Sequence, residues 1–408
     1  MKRTVDSGKT LLVDGPASIT LLSGEVEILG TRFEIDSRLV IREGKRVPFE
    51  TKTTAEFDLF LSEKASLKEF EGSAVPDSWG NVANTILWHN EKHITVMVLG
   101  GIDVGKTSFC AYLANNALKK NRKVALIDAD LGQSDVGPPS TIGSCTITRP
   151  VEDPFQIGAE NVCFIGVTNP SGALFKIVEG ITRLKEKALN RGVDVLVINT
   201  DGWTEGEAAI QCKQTLVRQT KPDIVVGIQE QNELAVILNA LSETQNITIE
   251  TPKFARKRDR EERKLLRELG YKKYLKGASL KSFHLNWIKI LGAPLGAGST
   301  PSKEHSSRIA EILKTTPIHC EETSSSIFLV LSGKQRTKKE AAASLEDVFE
   351  KEVRIVIEGE EEGLFVALYD MKENFLGIGV LQELDYKQKI LKIHTRVKIC
   401  CIRACRSN

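Results

Sequence analysis

Apolar residues follow three successive patterns along this chain, and each predicts a different kind of structure. Up to about residue 90 they alternate with polar ones in short runs, among them Ser18-Ile19-Thr20-Leu21, Glu25-Val26-Glu27-Ile28 and Phe57-Asp58-Leu59-Phe60-Leu61. Period-two alternation turns one face of each run to a core and the other to water, as antiparallel strands do. Gly24, Gly30 and Gly44 fall between runs, where turns are needed. Residues 1–90 therefore read as an N-terminal β domain, with Val75-Pro76-Asp77-Ser78-Trp79-Gly80 as a linker.

From Ile94 the runs become continuously apolar and alternate with helical segments. Residues 94–99, 124–127, 162–167, 193–198 and 224–228 read as strands of a parallel sheet buried on both faces. Right-handed crossovers gather the ends of such strands, and any ligand, along one edge. A basic, helix-prone stretch covers 253–276. The pattern then returns to strands at 327–331, 353–357, 364–369 and 390–394, with a helical stretch over 334–351. The expected fold class is α/β: a central P-loop parallel sheet flanked by helices (91–278), between smaller N-terminal (1–90) and C-terminal (279–408) β-rich domains.

A length of 408 residues suits two or three domains, and 41% apolar with 27% charged residues is ordinary for a chain that buries a core. Lys and Arg total 56 against 54 acids, so charge alone does not announce nucleic acid, although a local basic surface remains open. No apolar run approaches the ~20 residues of a membrane span. Met1-Lys2-Arg3-Thr4-Val5-Asp6 has no apolar signal core behind it, which gives the expectation of a cytoplasmic protein. The eight cysteines lack paired metal-binding spacings apart from the tail Cys400-Cys401-x-x-x-Cys405, and they read mainly as buried thiols of a reducing compartment.

The chemistry concentrates at three strand ends. After the first central strand comes Gly100-Gly101-Ile102-Asp103-Val104-Gly105-Lys106-Thr107-Ser108, followed by a segment with Phe109, Leu113 and Ala117 on one helical face. Such a loop wraps backbone N–H groups around phosphate oxygens at a helix N-terminus. Lys106 is placed to reach the β- and γ-phosphates, and the Thr107 hydroxyl to ligate Mg²⁺. The alternative, a chance glycine turn, does not explain strand, lysine and helix together.

The next strand ends in Asp128-Ala129-Asp130-Leu131-Gly132-Gln133-Ser134, with two carboxylates at alternate positions. An isolated Asp-x-Asp is usually a solvated turn, but this one leaves the strand that follows the loop's own helix. A third end reads Asn199-Thr200-Asp201-Gly202-Trp203, where the tryptophan either joins the core or stacks a nucleobase. Within 253–276, Arg256, Arg260, Arg263 and Arg267 would share a helical face if the whole stretch were helical. A run of charges is most often a solvated helix, yet its place after the sheet suits a lid whose arginines close over a transferring phosphoryl group.

Together these residues resemble the polynucleotide 5′-hydroxyl kinases, a family that includes archaeal RNA kinases, the kinase subunit of the eukaryotic pre-mRNA cleavage factor and nucleolar rRNA-processing kinases. The resemblance rests on the phosphate loop, on Asp128-x-Asp-x-Gly-Gln133 with Pro138 and Pro139, on Thr200-x-Gly-Trp203, and on Arg263-x-x-x-Arg267 followed by Tyr274 and Gly277. It implies ATP or GTP and Mg²⁺ held by residues 100–108, with Thr107 and Asp128 at the metal. It further implies Asp130 as the carboxylate facing the 5′-hydroxyl, and Lys106, Arg263 and Arg267 as the other catalytic groups. Gln133, Ser134, Trp203 and Arg258 would contact the substrate, an RNA end with DNA as a second acceptor. A scaffold that binds ATP without turnover, a nucleotide-driven switch and a small-metabolite kinase are the rivals.

Overall fold

The computed structural model describes all residues except 89–92, 242, 293, 334–337, 399–402 and 407–408, and it divides into two compact units, Met1–Tyr271 and Lys272–Asn408. The first unit begins with two antiparallel sheets. One orders Lys2–Val5, Ala55–Leu61, Ala17–Ser23 and Arg38–Ile41; the other orders Thr31–Phe33, Val26–Ile28, Arg46–Thr51, Lys9–Asp14 and Ser66–Glu71. Alternation in the sequence becomes alternation in burial, as in Ala55–Leu61, where Ala55, Phe57 and Leu59 face in while Asp58 and Phe60 face out.

The central sheet has seven strands. In chain order they are β1 (Ile94–Gly100), β2 (Val124–Ala129), β3 (Thr141–Ile147), β4 (Asn161–Phe164), β5 (Val195–Thr200), β6 (Ile224–Gln229) and β7 (Gln245–Glu250), and in space they run β4-β3-β2-β5-β1-β6-β7. Five are parallel, whereas β3 and β4 add to β2 as an antiparallel edge. The stretch 162–167 thus lies on that antiparallel edge and not in the parallel series. Strand β3 carries Thr141, Gly143, Ser144 and Thr146 in place of a continuous apolar run, which left it without a sequence signal. Helix α1 (Lys106–Lys119) follows β1, α2 (Leu174–Asn190) precedes β5, α3 (Glu207–Thr220) precedes β6, and α4 (Arg260–Leu275) follows β7.

One buried apolar cluster runs from Val5 of the β module through one face of the central sheet to Phe254. The stretch 75–80 is not a linker. Helix Asp77–Trp88 starts there, and Trp79 is fully buried with its ring edge-on to Phe109 and Tyr112 and its indole N–H donated to the Glu250 carbonyl at 2.9 Å. A tryptophan contributes large apolar area, and burying it obliges its N–H to find an acceptor. The opposite sheet face is covered by α2 and α3 through Ile177, Ile181, Leu184, Leu216 and Val217.

The second unit is β-rich. A six-stranded sheet orders Ser279–His284, Ile390–Thr395, Phe375–Asp385, Phe365–Tyr369, Arg403–Arg406 and Lys289–Leu291. In the three-stranded sheet, Ser326–Leu331 pairs in parallel with Glu352–Ile357, and helix Lys338–Phe349 lies between them in sequence. Cys400 and Cys401 of the tail motif lie outside the described residues. Among the described residues Cys110, Cys145 and Cys212 are buried, while Cys163 and Cys320 are half-buried.

Candidate active site

Strand β1 is buried along its whole length and ends where the phosphate loop begins. The loop turns through two left-handed residues, Asp103 (φ 63°) and Gly105 (φ 98°), before α1 starts at Lys106. Aspartate is among the few non-glycine residues that tolerate this region. Lys106 is 6% exposed and bends back to donate its ammonium to the Gly101 carbonyl at 2.5 Å. Burial lowers its pKa, with Asp130, Asp201 and Asp103 opposing that shift and Lys213 adding to it.

Asp128, at the end of β2, is 1% exposed and organises the loop beyond it. Its Oδ2 accepts from the backbone N–H groups of Asp135 (2.7 Å) and Val136 (3.1 Å) and from the Ser134 hydroxyl (3.2 Å). Its Oδ1 accepts from the Asn199 amide at 3.0 Å and from the Asp130 N–H at 3.3 Å. Burial and Asp135 raise its pKa, against the hydrogen bonds that favour the charge. Ser134 is 5% exposed, and its hydroxyl is spent within the loop on Asp128 and the Gly137 N–H.

Asp130 stands two residues further on, half-buried, with Oδ1 accepting from the backbone N–H groups of Gly132 and Gln133 at 3.1 and 2.9 Å. Burial pushes its carboxyl up to about 7, helped by the charges of Asp128 and Asp201 and opposed by Lys106. Near neutral pH it is thus a far better proton acceptor than an ordinary aspartate.

Asn199, the last-but-one residue of β5, ties the two motifs together. Its amide nitrogen donates to the Thr107 hydroxyl at 3.2 Å and to Asp128, while its buried Oδ1 has no partner. Sequence reading quoted Asn199 without assigning it a part. The only signal was its place at a strand end two residues before an acid, Asp201.

The Trp203 turn abuts the phosphate loop. A Cβ on Gly202 would lie 2.7–2.9 Å from Ile102 side-chain and backbone atoms, so only glycine permits the approach. Trp203 is half-buried, and its backbone N–H is held by Asp201 Oδ1 at 2.8 Å.

The arginine segment is helical only from Arg260, so Arg256 is not on the face shared by Arg260, Arg263 and Arg267. It pairs instead with Glu262 and lies 3.8 Å from Asp14. Arg258 precedes the helix and reaches the phosphate loop, donating its backbone N–H and its guanidinium to Asp103 at 2.8 and 2.5 Å, and Nε to the Gly44 carbonyl at 2.9 Å. Arg263 is 3.9 Å from the same Asp103 carboxylate, and its backbone carbonyl accepts from the Gln133 side chain at 3.1 Å. Further along α4, buried Gly270 faces Pro139 and the Tyr271 hydroxyl meets that of Ser140 at 3.1 Å. Arg267 is half-buried one turn beyond Arg263. The arginine segment therefore contacts both the phosphate loop and the acidic loop.

A third partner comes from the β module. Arg42 pairs with Asp135 and sits 3.5 Å from Asp153 and 4.0 Å over the Phe155 ring, while Lys45 is 3.3 Å from Asp153.

Known proteins resemble this chain in sequence and in fold. The family model for the P-loop of the mRNA cleavage and polyadenylation factor CLP1 matches residues 100–277. Over those residues the chain is similar to the CLP1 P-loop family. A protein of Pyrococcus abyssi named polyribonucleotide 5′-hydroxyl-kinase is 27% identical over 307 residues, 75% of this chain and 84% of that one. A Danio rerio protein named polyribonucleotide 5′-hydroxyl-kinase Clp1 is 28% identical over 249 residues, 53% of this chain and 52% of its own. A solved Clp1p–Pcf11p complex matches in fold with a TM-score of 0.69, covering 100% of this chain and 97% of that one at 13% identity. The P-loop match implies nucleotide binding. Among the described residues no helix is long and apolar enough to cross a membrane.

Proposed function

We propose that this chain is a polynucleotide 5′-hydroxyl kinase that transfers the γ-phosphoryl group of ATP or GTP to the 5′-hydroxyl of an RNA strand. The observation that carries the reading is Asp130: a carboxylate held near neutrality by burial, within the field of the phosphate-loop lysine and at the ligand edge of the sheet. An alcohol acceptor must lose its proton in the transfer, and Asp130 is placed to take it. The names of the archaeal and vertebrate relatives point the same way.

In this reaction the 5′-oxygen forms a bond to the γ-phosphorus as the bond to the bridging oxygen breaks, leaving ADP or GDP. Asp130 orients the hydroxyl and accepts its proton late in that displacement. Lys106 leaves the Gly101 carbonyl to neutralise the transferring phosphoryl group, and Arg263 and Arg267 approach it from the lid. Arg258 fixes the lid to the loop, Trp203 stacks the terminal base, and Gln133 lies between acidic loop and lid at the substrate side. Ser134 serves the shape of that side through Asp128.

The residues fit a divalent cation such as Mg²⁺. The Thr107 hydroxyl would be the direct ligand and Asp128 would supply negative charge behind it, with the Asn199 amide nitrogen bonded to both. The ion would offset charge on the triphosphate.

The test incubates the purified chain with γ-labelled ATP, Mg²⁺ and single-stranded RNA ending in a 5′-hydroxyl, with a 5′-phosphorylated control. Label confined to the hydroxyl-ended strand, and lost in Asp130→Asn, is the expected result. Nucleotide binding without transfer to RNA or DNA would overturn the reading in favour of a scaffold.

A further inference from the structure

Lys213, in α3, is completely buried. Lysine is almost never found so unless paired. Its ammonium donates to Asp201 Oδ2 at 2.7 Å and to the Asp201 carbonyl at 3.2 Å. The other carboxylate oxygen of Asp201 accepts the Trp203 N–H. One side chain therefore joins the core of α3 to the backbone of the residue that carries the indole.

A buried ion pair of this kind is poor evidence for stability, because desolvation offsets most of its attraction and an apolar pair would fill the space as well. What it supplies is direction. Asp201 is gripped at both oxygens, and Gly202 packs against Ile102 of the phosphate loop. The turn 201–203 is thus tied to α3 through Lys213 and to the phosphate loop through Ile102. Asp201 fills the variable position of Thr200-x-Gly-Trp203, and Lys213 lies outside that motif.

We propose that Asp201 and Lys213 are a positioning pair that sets Trp203 for stacking on the end of the RNA strand. This rests on the reading of Trp203 as the base clamp. Neither residue touches the substrate; both act through the indole.

The test compares four full-length proteins: wild type, Trp203→Ala, the charge-neutral double variant Asp201→Ala/Lys213→Met, and the triple variant. The double variant removes both charges and leaves no lone ion in the core. The expected result is a KM for RNA raised about tenfold in the double variant, with kcat and the KM for ATP changed less than about threefold, as loss of uniform binding requires. In the Trp203→Ala background the same pair of substitutions has no further effect. An equal loss in both backgrounds would overturn the proposal, because the pair would then act on the fold or the phosphate loop. An unchanged KM in the double variant, with Trp203→Ala impaired, would overturn the pair alone. An unimpaired Trp203→Ala would overturn the clamp and the proposal with it. Asp201→Asn/Lys213→Met, which keeps the shape of the aspartate and leaves no lone ion, is read by the same cycle if the first double variant does not fold.

Discussion

Arg258 and Asp103 are joined twice: the arginine gives both its backbone N–H and its guanidinium to the two oxygens of the aspartate, at 2.8 and 2.5 Å. Asp103 belongs to the phosphate loop and Arg258 to the segment leading into the lid, so the state of one is felt directly by the other. Asn tolerates the same left-handed backbone, so Asp103→Asn removes the charge while keeping the loop. Without nucleotide, trypsin should then cut at Lys253, Arg256 or Lys257 several-fold faster than in wild type, since local opening sets such rates. Unchanged digestion would mean that the segment is held without the Asp103 charge, by its contacts with Gly44, Gln133, Pro139 and Ser140.

Asp130→Asn should separate chemistry from stability. Turnover is expected to fall by about 10²–10⁴, the usual contribution of a general base, while nucleotide affinity holds. The raised pKa means that the folded protein binds a proton the unfolded chain has released between about pH 4 and 7. The charged carboxylate therefore costs stability, fully so above pH 7 and not at all below about pH 4. Melting of the nucleotide-free, EDTA-treated variant should occur about 2–4 °C higher than wild type at pH 8 for each ~1 kcal/mol relieved, with the gain vanishing toward pH 4. A gain that grows as pH falls would contradict this sign.

Gly202→Ala places a methyl group 2.7–2.9 Å from Ile102, including its backbone nitrogen and Cα. Backbone cannot step aside as a flexible side chain can, so the phosphate loop must move. Nucleotide affinity should drop about tenfold, equivalent to ~1.4 kcal/mol, with far-UV circular dichroism unchanged. Titration with a fluorescent ATP analogue measures it, and wild-type affinity would show that the loop absorbs the shift.

Arg42→Ala leaves Asp153, 4% exposed, with Lys45 as its remaining cationic neighbour, and deprives Asp135 of its short ion pair. Breaking a buried pair at one side typically costs about 3–5 kcal/mol. Denaturant midpoints should fall accordingly, and Arg42→Lys should recover only part, because it cannot serve both acids and the Phe155 ring face. A loss below about 1 kcal/mol would place the cluster with solvent-screened surface pairs.

The parts of the site that were legible in the sequence are those set by neighbours along the chain. Strand, glycine-rich loop, Lys106 and helix are contiguous, and Asp128 and Asp130 leave a strand whose apolar run is plain. What escaped depends on distant pairings. Asp103 and Arg258 are 155 positions apart, Arg42 and Asp135 are 93 apart, and Asn199 meets Thr107 across 92. Charge and hydroxyl residues carry no periodicity that would announce such meetings. Trp79 shows the same limit from the apolar side. A single tryptophan after Pro76 and Asp77 looks like a turn, and only the arrival of Phe109, Tyr112 and Phe254 makes it core. The register of the arginine helix was misread at Arg256 because residues 256–263 are all charged, and no apolar position among them fixes a start.

The short turn of the β module from Arg42 to Lys45 supplies the cations for Asp135 and Asp153, and its Gly44 carbonyl takes the Arg258 guanidinium. A minimal kinase cannot therefore be made by trimming the chain to Ile94. Such a fragment would keep every residue of the phosphate loop and both strand-end acids, yet two buried carboxylates would lose their counter-charges and the lid one of its anchors. The amino-terminal module is part of the machine's frame, and shortening experiments or domain exchanges have to carry that turn with them.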